Sequence, residues 1–414
     1  MKRAKHNNFT AGDYRGVAAV SQQTAIKYGF FVLIGFAILK PLSLMGSEIV
    51  AIGGVNITDF IGVGVSYLLV VPLLAGLRQI KIDLLFLFLV TFILYAFESI
   101  LWGSEVRKTA QTILPFIVFF SVRTFITQTD RARMLLVFLV LGFLIPIAFS
   151  TYNIVLGKSI FVIEWHNKLP RFSGVFSGPH TLSYIMLFFS FVYCILHHIY
   201  HFKNYINRFI ISLFLIFSVY CLYKSGTRTT MIGFILFWYI YLWGTNKKAL
   251  LIAIVLSAMT AIIFHDQIYS IIFKKNEIDL NTATSGRVTL IENNINLFLE
   301  SSLTQQLVGR GLGHEHRYAY HNDFIALLMD LGLIGLLLYL VLLFYLLYDI
   351  FLCKDRKTKY LFGAILISVA AMNFGSNAIV FRIELSQYFW CIMGLFYVIR
   401  KNNVLEKSNT TISL

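Results

Sequence analysis

Four short stretches of the chain set arginine and histidine among glycine and hydroxyl residues, in patterns suited to holding an anion and moving a proton. The first is Pro170-Arg171-Phe-Ser-Gly-Val-Phe-Ser-Gly-Pro179-His180. Its glycines and prolines shape a turn whose backbone N–H groups suit an anion. A plain loop leading into a helix, with Arg171 reaching lipid headgroups, accounts for the same residues. The second is Tyr223-Lys224-Ser225-Gly226-Thr227-Arg228-Thr229-Thr230, between two apolar runs. A charge this close to the membrane boundary needs a partner or water, so Arg228 either anchors a helix end or grips an anionic ligand. Its planar fork matches two phosphate oxygens at once.

The third stretch is Ser285-Gly286-Arg287, where a guanidinium and a helix N-terminus would act on one anion, or where Arg287 is simply solvated. The fourth runs from Val308-Gly-Arg310-Gly-Leu-Gly313 through His314, His316 and His321-Asn322-Asp323 to Gly332-Leu-Ile-Gly335. His-x-His with a third His five residues on matches no strong metal-ligand spacing, and no Cys stands nearby, so no metal site is expected. A neutral His at the mouth of a helix is suited to take a proton from a hydroxyl. Arg382 and Glu384, near the chain's end, either pair with each other or line the same cavity.

The elements that would position these residues are membrane helices. The chain has 414 residues, 58% of them hydrophobic and 13% charged, with a mean hydropathy of +0.74. Soluble domains carry about 25% charged residues, so lipid is the expected solvent. Twelve windows are long and apolar enough to suggest spans: 29–47, 58–77, 83–101, 111–127, 134–155, 180–200, 208–224, 229–244, 249–265, 323–350, 361–380 and 386–399. Alternate loops are short and basic, with Arg78, Lys81, Arg131, Arg133, Lys203, Arg208, Lys247, Lys248, Lys354, Arg356, Lys357, Lys359, Arg400 and Lys401. That pattern places both termini in the cytoplasm. The net charge of +15 is thereby read as a topology signal, and no nucleic acid is expected. The basic, polar N-terminus does not fit a cleavable signal peptide. The four cysteines form no disulfide framework.

The fold expected is an all-α polytopic membrane protein of about twelve transmembrane helices, a single integral membrane domain over 1–414. Two extracytoplasmic loops stand out, 156–179 and 266–322. Within the longer one, Val288, Ile291, Ile295, Phe298 and Leu299 give residues 287–300 the spacing of an amphipathic helix lying along the interface. Ser285 is its expected N-cap.

As a set, these motifs resemble the O-antigen ligase/polymerase superfamily, which joins Wzy-type polymerases and WaaL-type ligases. The matching pieces are RFSGVFSGPHTLSY at 171–184, SGTRTTM at 225–231, SGRVTLIENNINLF at 285–298, GRGLG at 309–313 and HNDFIALLMDLGLIG at 321–335. The last fits the family's His-Asn, nine residues, Gly-x-x-Gly pattern without a gap. The resemblance implies a membrane-embedded glycosyltransferase of the GT-C type in the inner (plasma) membrane, with its site facing the periplasm and no metal or cofactor. Its donor would be an undecaprenyl-diphosphate-linked oligosaccharide. Carried over by motif, Arg228 and Arg287 would bind the diphosphate and His321 would be the base. Arg171, Arg310 and Arg382 are second-rank contacts. A chain-length regulator is an implied partner beside the lipid bilayer. A polymerase of surface polysaccharide is expected from the 171–184 loop and from SNAIVFRIELSQYFW at 376–390. The alternatives are a ligase, which the His-Asn pattern suits, and a transporter or flippase of lipid-linked oligosaccharide.

Overall fold

The computed structural model describes residues 11–45, 51–52, 55–160, 163–166, 169–199, 205–263, 286–313, 321–376 and 382–412. Helices dominate them: α1 (Ala11–Ser43), α2 (Ile57–Leu68), α3 (Val70–Ala75), α4 (Leu84–Glu98), α5 (Val106–Phe125), α6 (Thr129–Val155), α7 (Pro179–Ile199), α8 (Tyr205–Lys224), α9 (Arg228–Thr245), α10 (Lys247–Ile263), α11 (Arg287–Leu299), α12 (Leu303–Val308), α13 (Asp323–Phe351), α14 (Arg356–Gly375) and α15 (Ile383–Ile412). Among the described residues six helices are long and apolar enough to cross a membrane: Gln22–Ser43, Leu84–Trp102, Thr129–Val155, Pro179–Ile199, Asp323–Phe351 and Arg356–Gly375. Val63–Ala75 and Phe209–Lys224 are shorter apolar helices. Among the described residues each of the twelve windows overlaps a helix, while six helices meet the length and hydropathy of a span.

Local chemistry explains several boundaries. Asp83 caps α4 by accepting from the Phe86 N–H at 2.9 Å, and Asp355 caps α14 through the Thr358 N–H at 3.0 Å. The first span includes Lys40, which is buried, and lies earlier than the 29–47 window. Window 58–77 is divided at Leu69 into α2 and α3.

The window at 323–350 is also divided. Gly332 adopts φ 67°, ψ −172° inside α13, a conformation essentially restricted to glycine. The break lets the chain from α12 pack against it. A Cβ on Gly332 would stand 2.3 Å from the Leu307 carbonyl oxygen. The Arg310 N–H donates to the Met329 carbonyl at 3.0 Å and the Gly311 N–H to the Asp330 carbonyl at 2.9 Å, satisfying groups the kink frees. Tyr95 on α4 seals the break by donating to the Leu331 carbonyl at 2.8 Å.

α15 and α7 form the centre. Trp390 is fully buried, with edge contacts to Phe116 and Phe119 on α5 at 4.8 and 5.6 Å between ring centroids. Tyr388 packs on Phe143 of α6 and Phe188 of α7. The outer helices expose apolar side chains, among them Phe31, Ile145, Leu251 and Phe344. A surface of that kind is what hydrocarbon solvates.

The 156–179 segment is more ordered than the loop expected from sequence. β1 (Ala51–Ile52) and β2 (Val55–Asn56) form one short antiparallel pair, and β3 (Ile163–His166) and β4 (Leu169–Phe172) form a hairpin within that segment. Glu164 stands directly across from Arg171 in the hairpin register. The amphipathic helix is present as α11, but Gly286, in the left-handed region, occupies its N-cap position. Ser285 lies outside the described residues. Asn294 faces inward and donates to the Leu290 carbonyl, while Leu299 is exposed.

Candidate functional site

Five helices begin at the same end of the bundle, and each brings a basic side chain or a histidine within a residue or two of its start. These are His180 on α7, Arg228 on α9, Arg287 on α11, His321 before α13 and Arg382 before α15. Short polar contacts tie the helix starts together. Ser183 of α7 and Thr230 of α9 share a hydrogen bond of 2.9 Å. Arg287 donates through Nη1 to Thr229 at 2.9 Å and to the Gly375 carbonyl at the end of α14. Arg382 reaches Thr181 at 3.5 Å, and its guanidinium lies 5.5 Å from the Tyr184 ring centre. Tyr184 in turn hydrogen-bonds Ser376. Helix N-termini carry partial positive charge, so this end of the bundle concentrates dipoles as well as guanidinium groups.

Arg171 joins the cluster from the β3–β4 hairpin. Its guanidinium donates to the Ser225 carbonyl at 3.1 Å, to Thr227 at 3.3 Å and to Glu164 at 3.0 Å. The turn at Gly226, with φ 62°, lies over the arginine's own stem, where a Cβ would be 3.0 Å from Arg171 Cγ. Hairpin and α8–α9 turn are therefore one unit, and Arg228 is placed by the turn that Arg171 braces.

The electrostatics show how crowded the cluster is. Burial pushes the Arg287 pKa down. Tyr184 pulls the other way, and the Arg228 and Arg171 charges add to the lowering. Arg171 is likewise lowered by burial, against the opposing pull of Glu164. Cations forced into one another's fields gain most from a bound anion that carries more than one charge.

His321 sits at the edge of this field. Burial lowers its pKa from 6.5, and the Arg287 and Arg382 charges lower it further, which favours the neutral imidazole. Its backbone has φ 47°, in the left-handed region, which is uncommon for a side chain of this size. Asn322 holds that turn. Its Oδ1 accepts from the Phe324 and Ile325 N–H groups at 2.9 and 3.1 Å, and its Nδ2 donates to the Phe374 carbonyl at 3.0 Å. The uncommon backbone conformation falls at a residue suited to proton transfer.

The structure thus brings together Arg171, Arg228, Arg287, His321 and Arg382. Arg310 is different. Its side chain donates to the Leu297 carbonyl at 3.3 Å and Ser301 at 2.6 Å, clamping the end of α11 to the Gly309–Gly313 turn. That turn passes under α13 and against Gly103 and Ser104, which explains GRGLG by packing. Among the described residues no group of three metal-ligating side chains occurs. His314 and His316 fall outside them, as does the Glu384 side chain, so its pairing with Arg382 is not described.

His180 is the residue that sequence reasoning passed over as one letter of a loop motif. It stacks on Tyr184 at 6.5 Å between ring centroids. Its Nδ1 is buried without a hydrogen-bond partner in the protein. A polar atom left so beside cations is suited to a ligand. Its position directly after Pro179 at a helix start was the available signal.

A family model described as O-antigen ligase matches residues 212–340, a stretch that contains Arg228, Arg287 and His321. No curated protein matches the chain significantly. The match covers 129 of the 414 residues, so the likeness to that family is one of this stretch.

Proposed function

We propose that this chain is a glycosyltransferase of the O-antigen ligase/polymerase kind, a reading supported by the partial family match, and that it transfers a glycan from an undecaprenyl-diphosphate-linked donor at the arginine cluster, extending a surface polysaccharide. The observation that supports this most is the meeting of Arg171, Arg228 and Arg287 in a mutually destabilising group beside His321, whose neutral form the same charges favour.

A diphosphate fits such a group because it carries several negative charges and is a good leaving group. In the proposed step an acceptor hydroxyl oxygen attacks the anomeric carbon of the donor. The bond from that carbon to the diphosphate oxygen breaks, and the leaving diphosphate keeps the electron pair. His321 takes the hydroxyl proton. Arg228 and Arg287 stabilise the negative charge that builds on the leaving oxygen, while helix starts and hydroxyl side chains fix the acceptor in line. Attack from the far side inverts the anomeric centre. A twelve-span GT-C arrangement in the inner membrane, both termini cytoplasmic and the cluster facing outward, belongs to this reading, as does a chain-length regulator as partner.

In a polymerase the acceptor is another lipid-linked repeat unit, and in a ligase it is lipid A-core or a comparable surface acceptor. We favour the polymerase on the 171–184 and 376–390 stretches. The ligase reading is supported by the description of the matched family and by the His321-Asn322 pattern. The test supplies purified protein with one synthetic lipid-diphosphate repeat unit. A ladder of longer lipid-linked products that disappears in His321→Ala supports the polymerase. Transfer only after lipid A-core is added gives the ligase. No transfer to either acceptor refutes the glycosyltransferase reading and favours a transporter.

A further inference from the structure

The bundle holds a second concentration of charge at its other end, on the same helices that present His321 and Arg382 to the candidate site. A cavity of about 500 Å³ opens there, with Lys81, Asp83, Arg123, Asp349, Arg400 and Lys401 in its lining. Arg382 and Arg400 are eighteen residues apart along the chain that forms α15. At about 1.5 Å of rise per residue this separates the two sites by about 27 Å, close to the thickness of a hydrocarbon core.

The two carboxylates in the lining are already committed. Asp83 pairs with Arg123 at 2.5 Å while also capping α4. Asp349 pairs with Arg400 at 2.9 Å and accepts from the Tyr397 hydroxyl at 2.7 Å. Arg123 is further fixed over the Tyr397 ring, 4.6 Å from its centre. The pairs therefore hold two guanidinium groups in place and cancel their charge. Lys81 and Lys401, both exposed on the same cavity, leave it with an excess of two positive charges.

The cavity's surroundings are apolar. Ile82, between Lys81 and Asp83, is 73% exposed, and Tyr348, beside Asp349, is 57% exposed. Preformed cation geometry, an unbalanced positive charge and an apolar flank at a helix-end level match a phosphate attached to acyl chains.

We propose that this cavity binds the phosphate of an anionic phospholipid headgroup, with the acyl chains lying against the exposed apolar surface beside Ile82 and Tyr348. The inference stands independently of the glycosyl-transfer reading, since it uses none of that site's residues.

The test uses the full chain, purified in detergent and reconstituted with phosphatidylglycerol or phosphatidylcholine, with bound lipid counted by native mass spectrometry. Wild type should retain the anionic lipid in preference to the zwitterionic one. Each lysine lost should weaken retention about fivefold, so Lys81→Gln/Lys401→Gln should reduce it about 25-fold without changing the melting temperature. Lys81→Glu/Lys401→Glu should abolish the preference and serves as a second variant if the first folds poorly. Inorganic phosphate that displaces the lipid in wild type, but binds neither variant, would support the phosphate site with a soluble occupant in competition. Equal retention of both lipids, or a preference unchanged in the variants, would overturn the proposal.

Discussion

Replacing Arg287 by Gln tests the candidate site most sharply, because one side chain serves three measurable ends. Its Nη1 ties α11 to Thr229 and to the carbonyl at the end of α14. Both of those bonds leave from that one nitrogen. Removing a charged donor aimed at a leaving group costs about 10²–10³-fold in rate, or about 3–4 kcal/mol. The bonds lost to buried Thr229 and half-buried Gly375 cost about 1–3 kcal/mol of stability, less than the about 5–15 kcal/mol that separates folded from unfolded chains.

The third end is the pH profile. Burial, then Arg287 and Arg382, hold His321 below its ordinary 6.5. As a base it works only when unprotonated, so the acidic limb of kcat/KM should lie below pH 6.5 in wild type. Deleting the Arg287 charge relieves the imidazolium, raises the His321 pKa and moves that limb upward. Arg287→Lys keeps the charge and loses the fork, so it should lower kcat/KM while leaving the limb in place. The assay is initial-rate transfer from the lipid-diphosphate donor between pH 5 and 8. A folded Arg287→Gln with kcat/KM within threefold of wild type and an unmoved limb would refute both the diphosphate role and the electrostatic coupling.

His321→Gln should lower kcat by about 10²–10⁴-fold while changing the donor KM by less than tenfold, as judged by saturation kinetics. Gly332→Ala forces a Cβ into the Leu307 carbonyl at a glycine-only conformation; a loss of about 2–4 kcal/mol should appear as a large drop in melting temperature. Arg310→Gln should loosen the α11 clamp, lowering thermal stability by about 1–2 kcal/mol, with turnover per folded molecule kept within threefold of wild type. A turnover loss of a hundredfold there would restore Arg310 to the donor site.

Much of the candidate cluster is legible in short-range chemistry. Arg228 follows a Ser-Gly-Thr turn and Arg287 follows a glycine, and in both cases the turn residue and the candidate arginine are neighbours in sequence. Arg310, an arginine between glycines, is a second-rank candidate on those grounds. What separates it is the break at Gly332, a long-range fact: the glycines around Arg310 fit under another helix, and nothing local records that. The β3–β4 hairpin was missed for a related reason. Its strands are four residues each, and the cross-strand pairing of Glu164 with Arg171 becomes meaningful only once the Ser225 turn docks on it. His180 was visible as a letter but not as a site, since its significance comes from four other helix starts.

The side of the cluster that faces the acceptor can be argued from what any such transfer must share. Breaking the bond to a diphosphate makes the same demand whether the product is a longer lipid-linked chain or a transfer to another surface acceptor. Arg228, Arg287 and His321, to which the proposal assigns that demand, all come from the stretch that matches the family model. Arg382, Thr181 and Tyr184 come from outside it, on α7 and at the start of α15. A guanidinium lying over a phenol ring, with a threonine hydroxyl alongside, offers a saccharide an apolar face and hydrogen-bond partners. Acceptor preference is therefore expected to reside there. Arg382→Ala should raise the acceptor KM about tenfold or more and leave the donor KM within twofold, measured by varying each substrate at saturating levels of the other. If the donor KM rises instead, Arg382 belongs with the diphosphate, and the division between a shared donor half and a variable acceptor half fails.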